Sequence, residues 1–182
     1  MKVSERFDRA YRDSVNGIRF TMGLALPQHL RDGGIWYDTM GDWAEAHAAP
    51  GWDRRTACGV FSSFSPRCTV AQNQARYLQF VRTGFARGLS EHLETARRVV
   101  AQGIDGLTGR KRIAFSDALY GIADAVVVDS HGCKISGIPA DAPTKVQYDA
   151  VVAAHRTLAP EYGMEPRVLQ AVTWCAHRGR SW

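Results

Sequence analysis

The chain holds 182 residues, 45% of them hydrophobic, 23% charged and 10% aromatic, a balance that supports a packed core and excludes a disordered or fibrous chain. Its length favours one globular domain over residues 1–182, or two lobes sharing one core. Twenty-three Lys and Arg against 18 Asp and Glu give a net charge of +5 and a pI near 9.2, which favours an anionic partner without naming it.

The opening stretch MKVSERFDRAYRDSV is charged throughout and lacks the apolar core of a signal peptide. No apolar run approaches the ~18 residues that a bilayer span needs. A soluble, cytoplasmic protein with no membrane partner is the expectation. Phe7, Ala10 and Tyr11 predict a first helix from Ser4 to Gly17, and Trp36, Tyr37, Met40 and Trp43 a second over Ile35 to Ala48. Asp53 is placed to cap a third, Arg54 to Phe64, and Val70, Tyr77, Leu78 and Val81 continue the helical period from Thr69 to Thr83. Ser90 is placed to cap a helix carrying Leu93, Ala96, Val99 and Val100. The glycine-rich turn GIDGLTG, Gly103 to Gly109, opens onto a helix from Arg110 to Tyr120. Ala125 to Val128 has strand propensity, yet a solitary strand cannot complete a ladder. Asp129 then caps a short helix through Ile135, and two more helices follow, Lys145 to Leu158 and one from Pro166. The chain is expected to be all-α.

Four cysteines, Cys58, Cys68, Cys133 and Cys175, form no CxxC pair, so neither a zinc knuckle nor an iron–sulfur loop is expected and they read as buried thiols. The histidines His29, His47, His92, His155 and His177 show no metal-binding spacing such as HExxH. No metal and no cofactor are expected.

The segment Gly106 to Ile135, GLTGRKRIAFSDALYGIADAVVVDSHGCKI, carries the chemistry. A glycine turn at a helix N-terminus presents free backbone N–H groups to an anion, and Arg110, Lys111 and Arg112 add three cations there. Gly106, Gly109, Arg110 and Arg112 are therefore candidate DNA- or phosphate-binding residues. The alternative is a helix-to-helix turn with solvated charges.

GRK followed, 18 positions after Lys111, by Asp129 in V-D-S-H resembles the helix-hairpin-helix DNA glycosylase superfamily, in particular its endonuclease III-like members. The upstream GVFSSFSPRCTVAQNQARYLQFV is similar to the helices that precede the hairpin there, so the resemblance spans about residues 56–137. The WY pair, the SP with Asn73 after it, and LQAVTWCAHRG also look like a family of uncharacterised phage-encoded proteins. The hairpin positions read D-G-L-T-G where that superfamily has L-P-G-x-G, and its four-cysteine loop is absent. The resemblance implies two helical lobes with a cleft, DNA as partner (a duplex or an extruded base), and Lys111 and Asp129 as catalytic residues. It implies a base-processing protein of glycosylase type acting on an extruded base, normal or modified, in the bacterial host cytoplasm if phage-encoded. Two alternatives stand beside it: a thymine-pyrophosphorylase-type hypermodification enzyme, and a non-catalytic DNA-binding protein on the same fold.

The pair makes chemical sense without the resemblance. Breaking an N-glycosidic bond builds positive charge on the sugar, which a carboxylate stabilises. An amine nucleophile must be neutral, which neighbouring cations promote. Asp129 is alternatively a helix cap and Lys111 a phosphate contact. His131, Asn73, Trp36 and Tyr37 are candidates to line the cleft, the rings by stacking on an extruded base; packing roles are the alternative. Arg67, Arg76 and Arg82 form either a nucleic-acid face or a solvated helix surface.

Overall fold

The computed structural model describes residues 2–88 and 90–179, and every regular element among them is helical. In chain order these are α1 (Val3–Gly23), α2 (Pro27–Ala46), α3 (Arg54–Ser63), α4 (Val70–Thr83), α5 (Ser90–Gln102), α6 (Arg110–Tyr120), α7 (Ser130–Ile135), α8 (Lys145–Leu158) and α9 (Pro166–Arg178), with 3-10 turns at Gly103–Gly106 and Ala159–Tyr162. The chain divides into two compact units: a terminal unit from the described residues of 1–37 and 122–179, and a middle unit from those of 38–121. No helix among the described residues is long and apolar enough to cross a membrane.

In the terminal unit, α1 packs along α8, joining Ile18 to Ala154, Leu158, Ile135 and Leu169 in one buried cluster. The first helix does not stop at Gly17 as the sequence predicts. Gly17 lies inside α1 because a Cβ there would sit 1.7 Å from the Ile135 carbonyl oxygen, so its lack of a side chain is what lets α1 run against the end of α7. The second helix likewise starts at Pro27, not Ile35. Proline is pre-set for a first helical turn, and the His29 ring nitrogen Nδ1 accepts the Leu26 N–H at 3.1 Å. Its Gly33 meets α9 backbone to backbone, a Cβ there falling 2.6 Å from Val172 Cα. Close packing thus outweighs the low helix propensity of these glycines.

The run Ala125–Val128 forms no strand but is buried throughout. Val126 and Val128 pack with Cys133, Ile138, Tyr148 and Val151, and the Tyr148 hydroxyl donates to the Val126 carbonyl at 3.2 Å. This buried segment delivers Asp129 to the start of α7.

In the middle unit, α3 is buried from Ala57 to Ser63 and packs on α5 and α6. Asp53 caps it, accepting the Thr56 N–H at 2.7 Å. Phe61 is the hub of a ring network, with centroids 5.7 Å from Trp43, 5.6 Å from Tyr77 and 6.2 Å from Phe115. The Tyr77 hydroxyl donates to the Ala44 carbonyl at 2.6 Å. Helix α5 begins at Ser90 itself, so Ser90 is its first residue and not its cap. The turn into α6 is tight: a Cβ on Gly106 would lie 2.4 Å from the Arg98 carbonyl.

Candidate functional site

Asp129 precedes α7 with extended backbone, and one carboxylate oxygen, Oδ1, accepts the Gly132 N–H at 2.8 Å. That bond is the helix cap the sequence suggests. The other oxygen, Oδ2, accepts the indole N–H of Trp174 in α9 at 3.1 Å. Each oxygen keeps a further lone pair, and the carboxylate plane is fixed by donors on two helices. A cap alone needs only the first contact; the second is a feature of this chain's tertiary structure.

Trp174 is the centre of the surrounding cluster. Its ring centroid is 6.0 Å from that of Trp36 and 5.9 Å from that of His131, the latter edge-on. The Arg178 guanidinium stands over the indole at 4.3 Å, within cation–π range. His131 meets His177 with ring centroids 5.5 Å apart. Tyr37 stacks edge-on with Trp36 at 5.0 Å and donates its hydroxyl to Gln170. Asp129, His131, Trp174 and Arg178 are partly exposed, whereas Trp36 and Tyr37 are buried behind them. The two rings named from sequence as stacking candidates therefore back the cluster from inside, and the partly exposed indole is Trp174.

The electrostatics follow this layering. Burial pushes the Tyr37 phenol well above its ordinary range, and the field of Asp129 adds to the shift. Burial also lowers the His131 imidazole; Asp129 pulls it back up, while His177, Arg178 and Lys134 push it further down. The His131 Nδ1 is buried and has no hydrogen-bond partner among the described residues. The terminal unit thus presents a carboxylate with fixed geometry, flanked by an imidazole that is biased neutral and by an aromatic face with a cation over it. Such an arrangement is suited to stabilising developing positive charge on a ring-bearing substrate.

Sequence reasoning named Asp129, His131, Trp36 and Tyr37, and all four belong to this one cluster. It missed Trp174, Gln170, His177 and Arg178. The signal was present: Trp174 lies off the stripe formed by Leu169, Val172 and Cys175, and His177 and Arg178 follow it at the helical spacing that brings side chains together.

The remaining candidates lie in the middle unit. Gly109 adopts φ 91° before α6 and supplies no side-chain cap, and Gly106 is buried where the turn passes Arg98. The Arg98 Nε donates to the Gly106 carbonyl at 3.3 Å, which braces the turn. Arg110 is exposed at the first position of α6. Arg112 is paired with Glu91 at 2.7 Å and donates to Thr95 at 3.4 Å, so its charge is already partly answered within the unit. Lys111 is half-buried and makes no hydrogen bond or ion pair among the described residues. Asn73, in α4, is buried, and its Oδ1 has no partner among the described residues. Among the described residues no group of three or more His, Cys, Asp or Glu is arranged to hold a metal ion.

The chain matches the model of a family of unknown function, DUF7178, over residues 3–181, and it belongs to that family. No curated protein and no solved structure matches it.

Proposed function

We propose that this DUF7178 chain is a DNA base-processing protein of glycosylase type, on a helix-hairpin-helix glycosylase-like fold, with Asp129 as the group that stabilises charge on the sugar. The observation that carries the reading is the Asp129 carboxylate, gripped by the Gly132 N–H and the Trp174 indole beside a partly exposed aromatic and imidazole cluster. Rupture of an N-glycosidic bond leaves a cationic sugar and an electron-rich departing base. A carboxylate with fixed lone pairs answers the first, and an indole face suits a flat base. Lys111 supplies a nucleophilic amine if the reaction passes through an imine. Arg110 with the turn at Gly106 and Gly109 supplies contacts to backbone phosphates, which position a nucleic acid without reading its sequence. A net charge of +5 is in keeping with such a partner.

The test incubates the full chain with duplexes bearing normal or modified bases and weighs the products. Release of a free base, lost in Asp129→Asn while DNA affinity persists, supports the reading. Borohydride trapping of a covalent adduct that disappears in Lys111→Gln gives Lys111 its role; an adduct that persists moves the nucleophile elsewhere. Displacement of pyrophosphate from an activated base assigns the hypermodification chemistry instead. Full turnover in Asp129→Asn reduces that residue to a helix cap and sinks the assignment. Unchanged DNA bound in a salt-dependent manner leaves a binding protein.

A further inference from the structure

We propose that the loop joining α4 to α5 is a docking surface for an unpaired nucleic-acid strand, with Phe85 stacking on a base and Arg76, Arg82 and Arg87 receiving its phosphates. The loop belongs to the middle unit and lies outside the Asp129 cluster, so the proposal does not rest on the glycosylase reading.

The first ground is an exposed ring on a fixed backbone. Phe85 is 50% exposed while the next residue, Ala86, is 5% exposed, so the chain is pinned beside the ring it turns outward. Gly84 ends α4 at φ 67°, and its N–H donates to the Phe80 carbonyl at 2.8 Å. The Thr83 hydroxyl accepts the Phe85 N–H at 3.2 Å and lies 2.8 Å from the Gln79 carbonyl. The Gln79 side-chain oxygen accepts the Arg87 N–H at 3.0 Å. A lone exposed apolar side chain is ordinary. One whose backbone is held on both sides binds with little further loss of chain freedom.

The second ground is one-sided charge. Between Asp53 and Glu91 the chain carries six arginines and no acidic residue. Arg54 and Arg55, at the start of α3, are answered by Asp42, Glu45 and Asp117. Arg76, Arg82 and Arg87 make no side-chain hydrogen bond or ion pair among the described residues, and Arg82 and Arg87 are exposed. The first acids beyond the loop are engaged elsewhere, Glu91 with Arg112 and Glu94 with Arg97.

The third ground is contact. Arg82, in the last turn of α4, and Arg87, two residues beyond Phe85, flank the ring along the chain. Arg76, Gln79 and Thr83 share one face of α4, and the last two hydrogen-bond the loop, so Arg76 stands on the loop's side of the helix. A Cβ on Gly88 would lie 3.6 Å from Arg76 Nε and 3.7 Å from its Cζ. Gly88 has φ 146°, which side-chain-bearing residues rarely adopt, and its bare backbone lets the guanidinium lie against the loop.

Guanidinium forks match phosphate oxygens, and an exposed ring stacks on any base whose face is open. An acidic peptide would answer the charges but not the ring, and a duplex offers only base edges. Fluorescence anisotropy of the full chain with a labelled oligothymidine tests this, beside the same label on a duplex and on polyaspartate. Phe85→Ala is expected to weaken strand binding about tenfold, the loss of one base–aromatic stack. Phe85→Tyr should keep the affinity, whereas Phe85→Leu, apolar but not aromatic, should lose it as Phe85→Ala does. Arg87→Gln should lower the slope of log K against log salt by about 0.7, the share of one phosphate on a single strand. Phe20, 70% exposed on α1, is the control: Phe20→Ala should change affinity less than about twofold. Circular dichroism checks that each variant folds. No strand binding at low salt, wild-type affinity in Phe85→Ala or Phe85→Leu, or equal losses in Phe85→Ala and Phe20→Ala overturn the proposal. So does tighter binding of the duplex or of polyaspartate than of the strand. Absence of base release from every duplex leaves it standing, and failure of strand binding leaves the Asp129 chemistry standing, so the two readings fail separately.

Discussion

Both units are rich in aromatic rings, but they use them differently. In the middle unit Phe61, Phe64 and Tyr77 are almost wholly buried, and the single polar edge among them, the Tyr77 hydroxyl, is spent on a main-chain carbonyl. In the terminal unit Trp174 is partly exposed and spends its N–H on a carboxylate, with the His131 imidazole and a guanidinium against its ring. Aromatic density therefore does not mark a site. What marks it is a ring whose polar edge holds a charged group that water can also reach.

The largest effect that would test this contrast is Phe61→Ala. It empties the hub of the middle unit's ring network, and loss of a buried phenylalanine costs about 4 kcal/mol. Urea unfolding should register that loss; a fall below half of it would mean the network is less tightly packed than described.

A buried imidazole gives the next largest. His155 is 2% exposed, its Nδ1 sits 2.9 Å from the Val151 carbonyl, and burial lowers its pKa to about 4. The unfolded chain binds a proton near pH 6.5 that the folded chain refuses until about pH 4. Stability from this group is thus full above pH 6.5 and falls as the pH drops to 4, by about 3 kcal/mol. Comparing the pH dependence of urea unfolding with that of His155→Phe isolates the term. Parallel curves for the two proteins would contradict it.

Trp174→Phe sharpens the contrast most directly, because it keeps the ring and deletes the donor to Asp129. A hydrogen bond to a charged, partly exposed group is worth about 1.5 kcal/mol, so the chain should stay folded. Any activity that depends on the Asp129 geometry should fall far more than stability does. Equal losses in both would make Trp174 a packing residue like those of the middle unit.

Smallest is Asp53→Ala, which removes the N-cap of α3 and should cost about 1 kcal/mol. The Thr56 N–H holds the Asp53 carboxyl below its ordinary range, so this contribution is present at neutral pH and is lost as the pH falls through the lowered value. A thermal melt at neutral pH reads it, and no change there would show that the cap is replaceable by water.

How much of this was legible in the sequence depends on whether the deciding interaction was local. Arg110–Tyr120, Ser130–Ile135 and Lys145–Leu158 have the bounds their periodicity and capping residues predict, because caps and apolar spacing act within a few residues. For residues 18–34 the sequence predicts no helix. Gly17, Gly23, Gly33 and Gly34 look like punctuation, and only contacts with Ile135 and Val172, over a hundred residues away, explain two of them. The candidate site divides the same way. Asp129 was visible as a cap, a local role, whereas its second donor, Trp174, is 45 residues distant. Only the resemblance pairs Lys111 with Asp129; they belong to the middle and the terminal unit respectively.

The Trp174 indole has an optical consequence. It is one of five tryptophans, and its N–H bond to a carboxylate and the guanidinium over its ring set the electric field that its excited state feels. Protonation of the adjacent His131 would quench its emission by accepting an electron from the indole, and replacement of the Asp129 charge would shift its colour. The chain therefore carries a built-in fluorophore at its own candidate site, so occupancy there can be followed by light without a label.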